Sequence, residues 1–220
     1  MWHSMKRRER CPSRGFSDPR EVCRISVLNM PYRASTFAEG EYYHIYNRGV
    51  GKGPIFFNPG NYQFCINLIY RYSEKYRLGL VAYCLMPNHY HFLLGQVEEV
   101  PVSRFINNLF SSYVQAVNRQ QGRVGTLFES RFKHAALGTD ELILYLCRYI
   151  HLNPAKAGLV EQPEDWPYSD YRQWLRNENP AAKTFLENYF TGSHGYRRFV
   201  HDCKDELEAL RKITAVVWDD

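Results

Sequence analysis

The sequence predicts an α+β fold: a ferredoxin-like antiparallel sheet with helices packed on one face, plus a C-terminal helical extension. Three observations carry that prediction. The apolar pattern runs strand, helix, hairpin, helix, strand, helix, and helices set between antiparallel strands fit a helix-on-sheet sandwich. Pro87-Asn88 breaks two β-type runs at a single tight turn. A chain of 220 residues with 45% hydrophobic content suffices for one domain of moderate size with an appendage.

Taken in order, Tyr42-Tyr43-His44-Ile45-Tyr46-Asn47-Arg48 is aromatic and β-branched, and Gly49 closes it as a strand. Gly51, Gly53 and Pro54 make the following turn. Asn58-Pro59 opens a helix to about Tyr72, with Phe64, Ile66, Leu68 and Ile69 near helical spacing. Residues 78–84 and 89–95 form the hairpin. Pro101 and Ser103 open a long helix to about Gln121, whose stripe is Phe105, Ile106, Leu109, Phe110, Tyr113, Val114 and Val117. Gly122 and Gly125 end it, and a short strand spans 132–137. Thr139 or Asp140 caps the next helix, and Asn153-Pro154 is expected to end or restart it, because the residue before proline is pushed out of the α region. Trp166, Tyr168, Tyr171 and Trp174 are expected to cluster on the sheet's back or an edge. Beyond Asn177 a polar break leads to helical segments at 184–190 and from 192 or 193 to about 212.

Net charge is +5, a mild bias toward polyanionic partners. Aromatic content of 15% fits a packed core and equally suits stacking on unpaired bases. The six cysteines include no C-x-x-C pair, and several lie in apolar runs, so they read as buried thiols of a cytosolic protein. No apolar stretch is long enough to span a bilayer. The stretch 1–20 is basic but lacks the apolar core of a secretory signal, and it reads as a disordered lead-in. Met5 and Met30 are alternative starts.

The chemistry concentrates in Met86-Pro87-Asn88-His89-Tyr90-His91. In a strand, residues i and i+2 share a face, so both imidazoles project together and can hold two positions of a metal site. On spacing alone, two polar residues on a solvent-facing strand would look the same. Tyr149 and Asn153, four apart on the helix from Thr139, also share a face. An amide oxygen suits a hard cation such as Mg²⁺ or Mn²⁺, and a tyrosine one turn away could attack a phosphorus beside it. Taken singly, Tyr149 also fits a core aromatic and Asn153 a cap before Pro154.

Four blocks in this order resemble the single-tyrosine transposases of the HUH nuclease superfamily, in particular the REP-associated tyrosine transposases. They are residues 43–49 (Tyr-His-Ile-Tyr-Asn-Arg-Gly), 86–91, 125–133 (Gly-Thr-Leu-Phe-Glu-Ser-Arg-Phe-Lys) and 148–158 (Arg-Tyr-Ile-His-Leu-Asn-Pro-Ala-Lys-Ala-Gly). Trp166-Pro167-Tyr168-Ser169-Asp170-Tyr171 is similar to the family's closing motif. The resemblance implies that His89 and His91 are metal ligands, that Tyr149 is the nucleophile, and that Asn153 is the third ligand. It also implies cleavage of single-stranded DNA near a hairpin, leaving a 5′-phosphotyrosine link and a free 3′-OH. Tyr90, bulkier than the usual residue between the histidines, is expected to point away. The division implied is a flexible basic lead-in over 1–37, a nuclease domain over 38–176 and a helical extension over 177–220. Asn47, Arg48, Arg119, Arg123, Arg131 and Lys133 are candidates for nucleic-acid contact, where they would position phosphates rather than read sequence. Action on DNA places the expected protein in the cytoplasm with the nucleoid, and both a monomer and a homodimer are compatible with the sequence.

Two rival readings remain at this level. A catalytically silent hairpin-binding protein on the same fold would keep the basic surface and bind DNA indifferently to metal. A small-molecule phosphoesterase would hydrolyse without a protein–DNA adduct, and it leaves the basic helix unexplained.

Overall fold

Alternation in the β-type runs is realised as a four-stranded antiparallel sheet of order β2-β3-β1-β4, in a computed structural model that describes residues 37–98 and 102–201. The strands are β1 (Tyr42–Arg48), β2 (Leu78–Met86), β3 (His89–Gln96) and β4 (Lys133–Leu137). Met86 pairs with His89 across the Pro87-Asn88 turn, as expected for the hairpin, and β1 lies between β3 and β4. The strand bounds differ from the sequence expectation by a residue or two at most. The lead-in, the helix opening at Pro101 and the continuation from 202 to 212 lie outside the described residues.

Helix α1 (Pro59–Lys75) starts where Asn58 accepts a hydrogen bond from Asn61 N, with proline at the first helical position. Helix α2 (Val102–Gln121) buries the expected stripe of Phe105, Ile106, Leu109, Phe110, Tyr113 and Val117. Both pack on the sheet face formed by Tyr43, Ile45, Tyr83, Leu85, Tyr90, Phe92 and Leu94. Each fully buried aromatic or aliphatic side chain there contributes about 1.5–3 kcal/mol. Tyr113 Oη donates to Ile55 O at 2.7 Å, so its one polar atom is satisfied.

The expectation of helices on one face describes only these two. Helix α3 (Asp140–Lys156), α4 (Tyr171–Leu175), α5 (Pro180–Tyr189) and α6 (Gly192–His201) cover the opposite face against Val81, Ala82, Cys84, Met86 and Leu93. The reason is visible in β2 and β3, which are buried on both faces; strands of that kind need a layer on each side. The extension helices α5 and α6 are therefore part of a core.

Two local features also differ. Helix α3 runs through Pro154 to Lys156 without a break; proline within the last turn removes one bond near the frayed end instead of breaking the ladder. The segment 166–170 splits the expected aromatic cluster. Tyr168 stacks on Tyr62 with centroids 3.8 Å apart on the α1 side, whereas Tyr171 and Trp174 join the α3 side. Between them, Leu85 N bonds Tyr168 O at 2.9 Å and Trp166 Nε1 donates to Leu85 O at 3.0 Å. The free edge of β2 is covered in this way, which blocks edge-to-edge pairing.

Candidate active site

The first two site residues come from the start of β3. Alternation turns Tyr90 into the α2 layer, where it stacks on Phe110 at 4.2 Å, and sends His89 and His91 to the face covered by α3. Their rings lie 5.1 Å apart, nearly perpendicular. Tyr90 thus leaves the pair undisturbed, as expected.

Each histidine has a partner that constrains it. Asn88 Nδ2 donates to Lys52 O at 3.1 Å, which directs Asn88 Oδ1 to His89 Nδ1 at 2.7 Å. An oxygen acceptor there requires the proton on Nδ1 and leaves the Nε2 lone pair for a ligand. His91 Nδ1 lies 3.0 Å from His44 Nε2 in the interior. If His44 accepts, His91 Nε2 is likewise the nitrogen that keeps its lone pair, and the remaining proton sits on His44 Nδ1, which is buried with no hydrogen-bond partner among the described residues. His44 arrives by register: Tyr46 pairs with His91 and His44 with Leu93, so His44 is the diagonal neighbour of His91.

Burial keeps these imidazoles neutral. It pushes His44 down to about 3. It pushes His89 to about 4, with the Asn153 hydrogen bond opposing and the Arg48 charge assisting. His91 falls well below its ordinary value, first through burial and then through His89 and His44. Neutral imidazole is the form that ligates metal.

Helix α3 brings the other two residues. Thr139 caps it by accepting from Leu142 N, and Asp140 and Glu141 suit the positive end of its dipole. Tyr149 is half-buried, its ring 5.3 Å from that of His91. Asn153 is 9% exposed, and its side chain hydrogen-bonds His89. The unbroken helix through Pro154 keeps Tyr149 and Asn153 on one face. Lys156, seven residues after Tyr149, holds its ammonium 5.3 Å from the Tyr149 ring centroid, a positive charge beside the group that would carry the attacking oxygen.

Two neutral imidazoles and one carboxamide, converging from β3 and α3, fit a divalent cation of borderline or hard character. No group of three or more His, Cys, Asp or Glu is disposed to hold a metal among the described residues; the set depends on the amide oxygen of Asn153 as third donor.

The residues expected to contact nucleic acid come from several elements. Arg48 pairs with His89 across β1 and β3 and carries an ion pair to Glu129 at 2.5 Å. Lys133 opens β4 opposite Tyr46, on the histidine face. Arg131 is exposed on the loop before it. Arg119 and Arg123 are exposed at the end of α2, behind the other sheet face, where Arg123 sits 5.6 Å over Phe57. Asn47 is buried on the face away from the histidines. It donates to Ser130 O at 3.0 Å and accepts from Arg48 N, so its geometry braces the 122–131 loop.

Sequence reasoning passed over His44, Asn88 and Lys156. The signal for Lys156 was its i+7 spacing from Tyr149, and for His44 its place with Tyr46 on alternating positions of β1. Only the pairing register reveals that this face meets His91.

Comparison with known proteins adds the following. Residues 38–153 match the family described as Transposase IS200 like. A Haemophilus influenzae protein named as a REP-associated tyrosine transposase is 28% identical over 116 residues, which take in 48% of this chain and 65% of that relative. The chain thus spans just under two-thirds of the relative's length. A solved structure of a REP-associated tyrosine transposase bound to a REP hairpin superposes with a TM-score of 0.57 at 20% identity, over 70% of this chain and 90% of that one. That likeness speaks to the fold.

Proposed function

The chain belongs to the IS200-like transposase family, and we propose that it is a metal-dependent endonuclease and strand transferase acting on single-stranded, hairpin-forming DNA of the REP type. Tyr149 is the nucleophile in this reading, and His89, His91 and Asn153 hold the ion. The observation that carries it is the convergence of two elements far apart in sequence: Tyr149 beside His91, and Asn153 against His89. A solved protein of the same fold is described as bound to a REP hairpin, which supports the substrate class.

Tyr149 Oη forms a bond to the scissile phosphorus as the P–O3′ bond breaks. The phenolic proton passes to solvent water, and the departing 3′ oxygen takes one up from solvent, so protons balance over the step. The product is a 5′-phosphotyrosine and a free 3′-OH; attack by a 3′-OH on that linkage rejoins the strand, so the phosphodiester energy is retained. Mg²⁺ or Mn²⁺, when bound, supplies Lewis-acid stabilisation of charge on the phosphoryl oxygens. Asn88 and His44 orient the imidazoles, and Lys156 offsets negative charge at the tyrosine. Arg48, Lys133, Arg131, Arg119 and Arg123 contribute phosphate contacts that raise affinity without reading bases. All the residues assigned to the reaction lie in the 38–176 segment, and α5 and α6 complete the core behind α3.

The test is adduct formation on denaturing gels, with hairpin oligonucleotides from palindromic repeats near the gene, labelled 3′ of the cut, and Mg²⁺ or Mn²⁺. Wild type gives a metal-dependent shifted band, and Tyr149→Phe binds the hairpin without one. Tight hairpin binding with no adduct under either ion would instead favour the silent binding protein.

A further inference from the structure

A second set of buried polar groups lies on the opposite side of α3 from the candidate site. At 3.6 residues per turn, His151 projects roughly 200° around the helix from Tyr149. It is 0% exposed. Its Nδ1 lies 2.7 Å from Tyr196 Oη on α6, and its Nε2 lies 3.1 Å from Asp170 Oδ1. Asp170 is also fully buried. Its Oδ1 accepts from Tyr83 N at 2.8 Å and its Oδ2 from Asn179 Nδ2 at 2.9 Å, while its own backbone N–H reaches Tyr83 O at 3.3 Å.

This set closes a mechanical circuit. Asp170 is fastened to β2 at Tyr83. Strand β2 is hydrogen-bonded to β3, with Cys84 opposite His91 and Met86 opposite His89. From Asp170 the tie continues through His151 into α3, which carries Tyr149 and Asn153 back to the same histidines. Interdigitated apolar packing fixes the distance of a helix from a sheet and opposes its sliding without singling out one hydrogen-bonded orientation. Directional bonds to a buried side chain select that orientation. The donors and acceptors also match: Tyr196 O–H donates to His151 Nδ1, and His151 Nε2–H donates to the Asp170 carboxylate.

We infer that His151 is a positioning residue, and that the buried Tyr196–His151–Asp170 chain sets the rotation of α3 and thereby the approach of Tyr149 and Asn153 to the histidine pair. The α5–α6 extension, which supplies Tyr196, is then a working part of the site. The inference rests on the reading of Tyr149 as the nucleophile. It also explains the choice of side chains. A buried hydrogen-bonded polar network adds little net stability over an apolar core of the same shape, so stability alone gives weak grounds for His151 and Asp170 here.

The mild test variant is Tyr196→Phe, which removes one hydroxyl and keeps the ring; Asp170→Asn is the stronger one. Phe185→Leu, in the same core but with no bond to His151, controls for lost packing. Full-length chains are compared for adduct rate at saturating hairpin, for hairpin Kd, and for amide hydrogen exchange over residues 147–153. Tyr196→Phe is expected to slow adduct formation about tenfold, leave Kd within twofold and speed exchange in that segment. Phe185→Leu, at a comparable loss of Tm, keeps the wild-type rate. Equal slowing by both variants, or wild-type rate and exchange in Tyr196→Phe, overturns the inference. A wild-type chain that forms no adduct defeats the transferase reading alone; the exchange data then still decide whether the chain anchors α3.

Discussion

Replacing His44 by phenylalanine should separate metal binding from folding. The wild-type contact is a 3.0 Å bond between His44 Nε2 and His91 Nδ1, with both rings essentially inaccessible to solvent. No water can take over that bond in a packed interior. Loss of an outer partner of a ligating histidine typically costs 10–100-fold in metal affinity, or about 1.4–2.7 kcal/mol. Stability should respond differently. The substitution leaves His91 Nδ1 without its His44 partner, at about 1–3 kcal/mol. It also removes His44 Nδ1, a buried polar atom with no hydrogen-bond partner among the described residues, and so relieves a penalty of the same kind. The ring volume and its stacking on Tyr46, 4.8 Å between centroids, are roughly kept. The net change in unfolding free energy is therefore expected within about 1 kcal/mol of zero. Mn²⁺ affinity is measured by electron paramagnetic resonance titration, and stability by urea unfolding of the same samples. Unchanged Mn²⁺ affinity at unchanged stability would refute the orienting role of His44.

Two further expectations follow from charge. His44 and His89 are held down to about 3 and about 4, and His91 well below its ordinary value, so the unfolded chain binds protons near pH 6.5 that the folded chain refuses. Their contribution is intact above pH 6.5 and is lost as pH falls toward 4, at about 1.4 kcal/mol per pH unit for each histidine. Urea unfolding at pH 7, 6 and 5 should show this decline, shallower in His44→Phe; a flat profile counts against neutral buried imidazoles. Arg131→Ala, at an exposed loop residue, should lower the slope of log hairpin affinity against log salt by about one. Fluorescence anisotropy at several salt concentrations measures it, and an unaltered slope removes Arg131 from the phosphate contacts.

Much of the sheet layer was legible because its signals are local. The β1 run, the Pro87-Asn88 turn and the α2 stripe each declare themselves within a few residues. The pairing of Tyr149 with Asn153 followed from helical spacing, and the shared face of His89 and His91 from strand alternation. The second helical layer was harder to read. Helix α4 has five residues, too few to show a period, and Pro154 imitates a helix end. Alternation already separates Asn47 from Arg48: adjacent strand residues face opposite ways, so of the two only Arg48 shares the histidine face. The His44–His91 contact and the His151 network depend on register and on packing between distant segments, which no local pattern encodes.

The two faces of the sheet differ in a way that bears on function. Against α1 and α2 the strands present Tyr43, Ile45, Tyr90, Phe92 and Leu94, an apolar set that needs no further explanation. Against α3 the middle of β1 and β3 presents His44, Tyr46 and His91, with the His44 ring 4.8 Å from Tyr46 and 5.2 Å from His91. Aliphatic residues of similar volume would fill that space without desolvating ring nitrogens, and so would favour stability. Local rules of core packing are broken where function demands it. Here three adjacent rings of this kind lie on the face where Tyr149 and Asn153 arrive. The convergence of these rings with Tyr149 and Asn153, more than any single distance, supports the reading that the cluster serves chemistry.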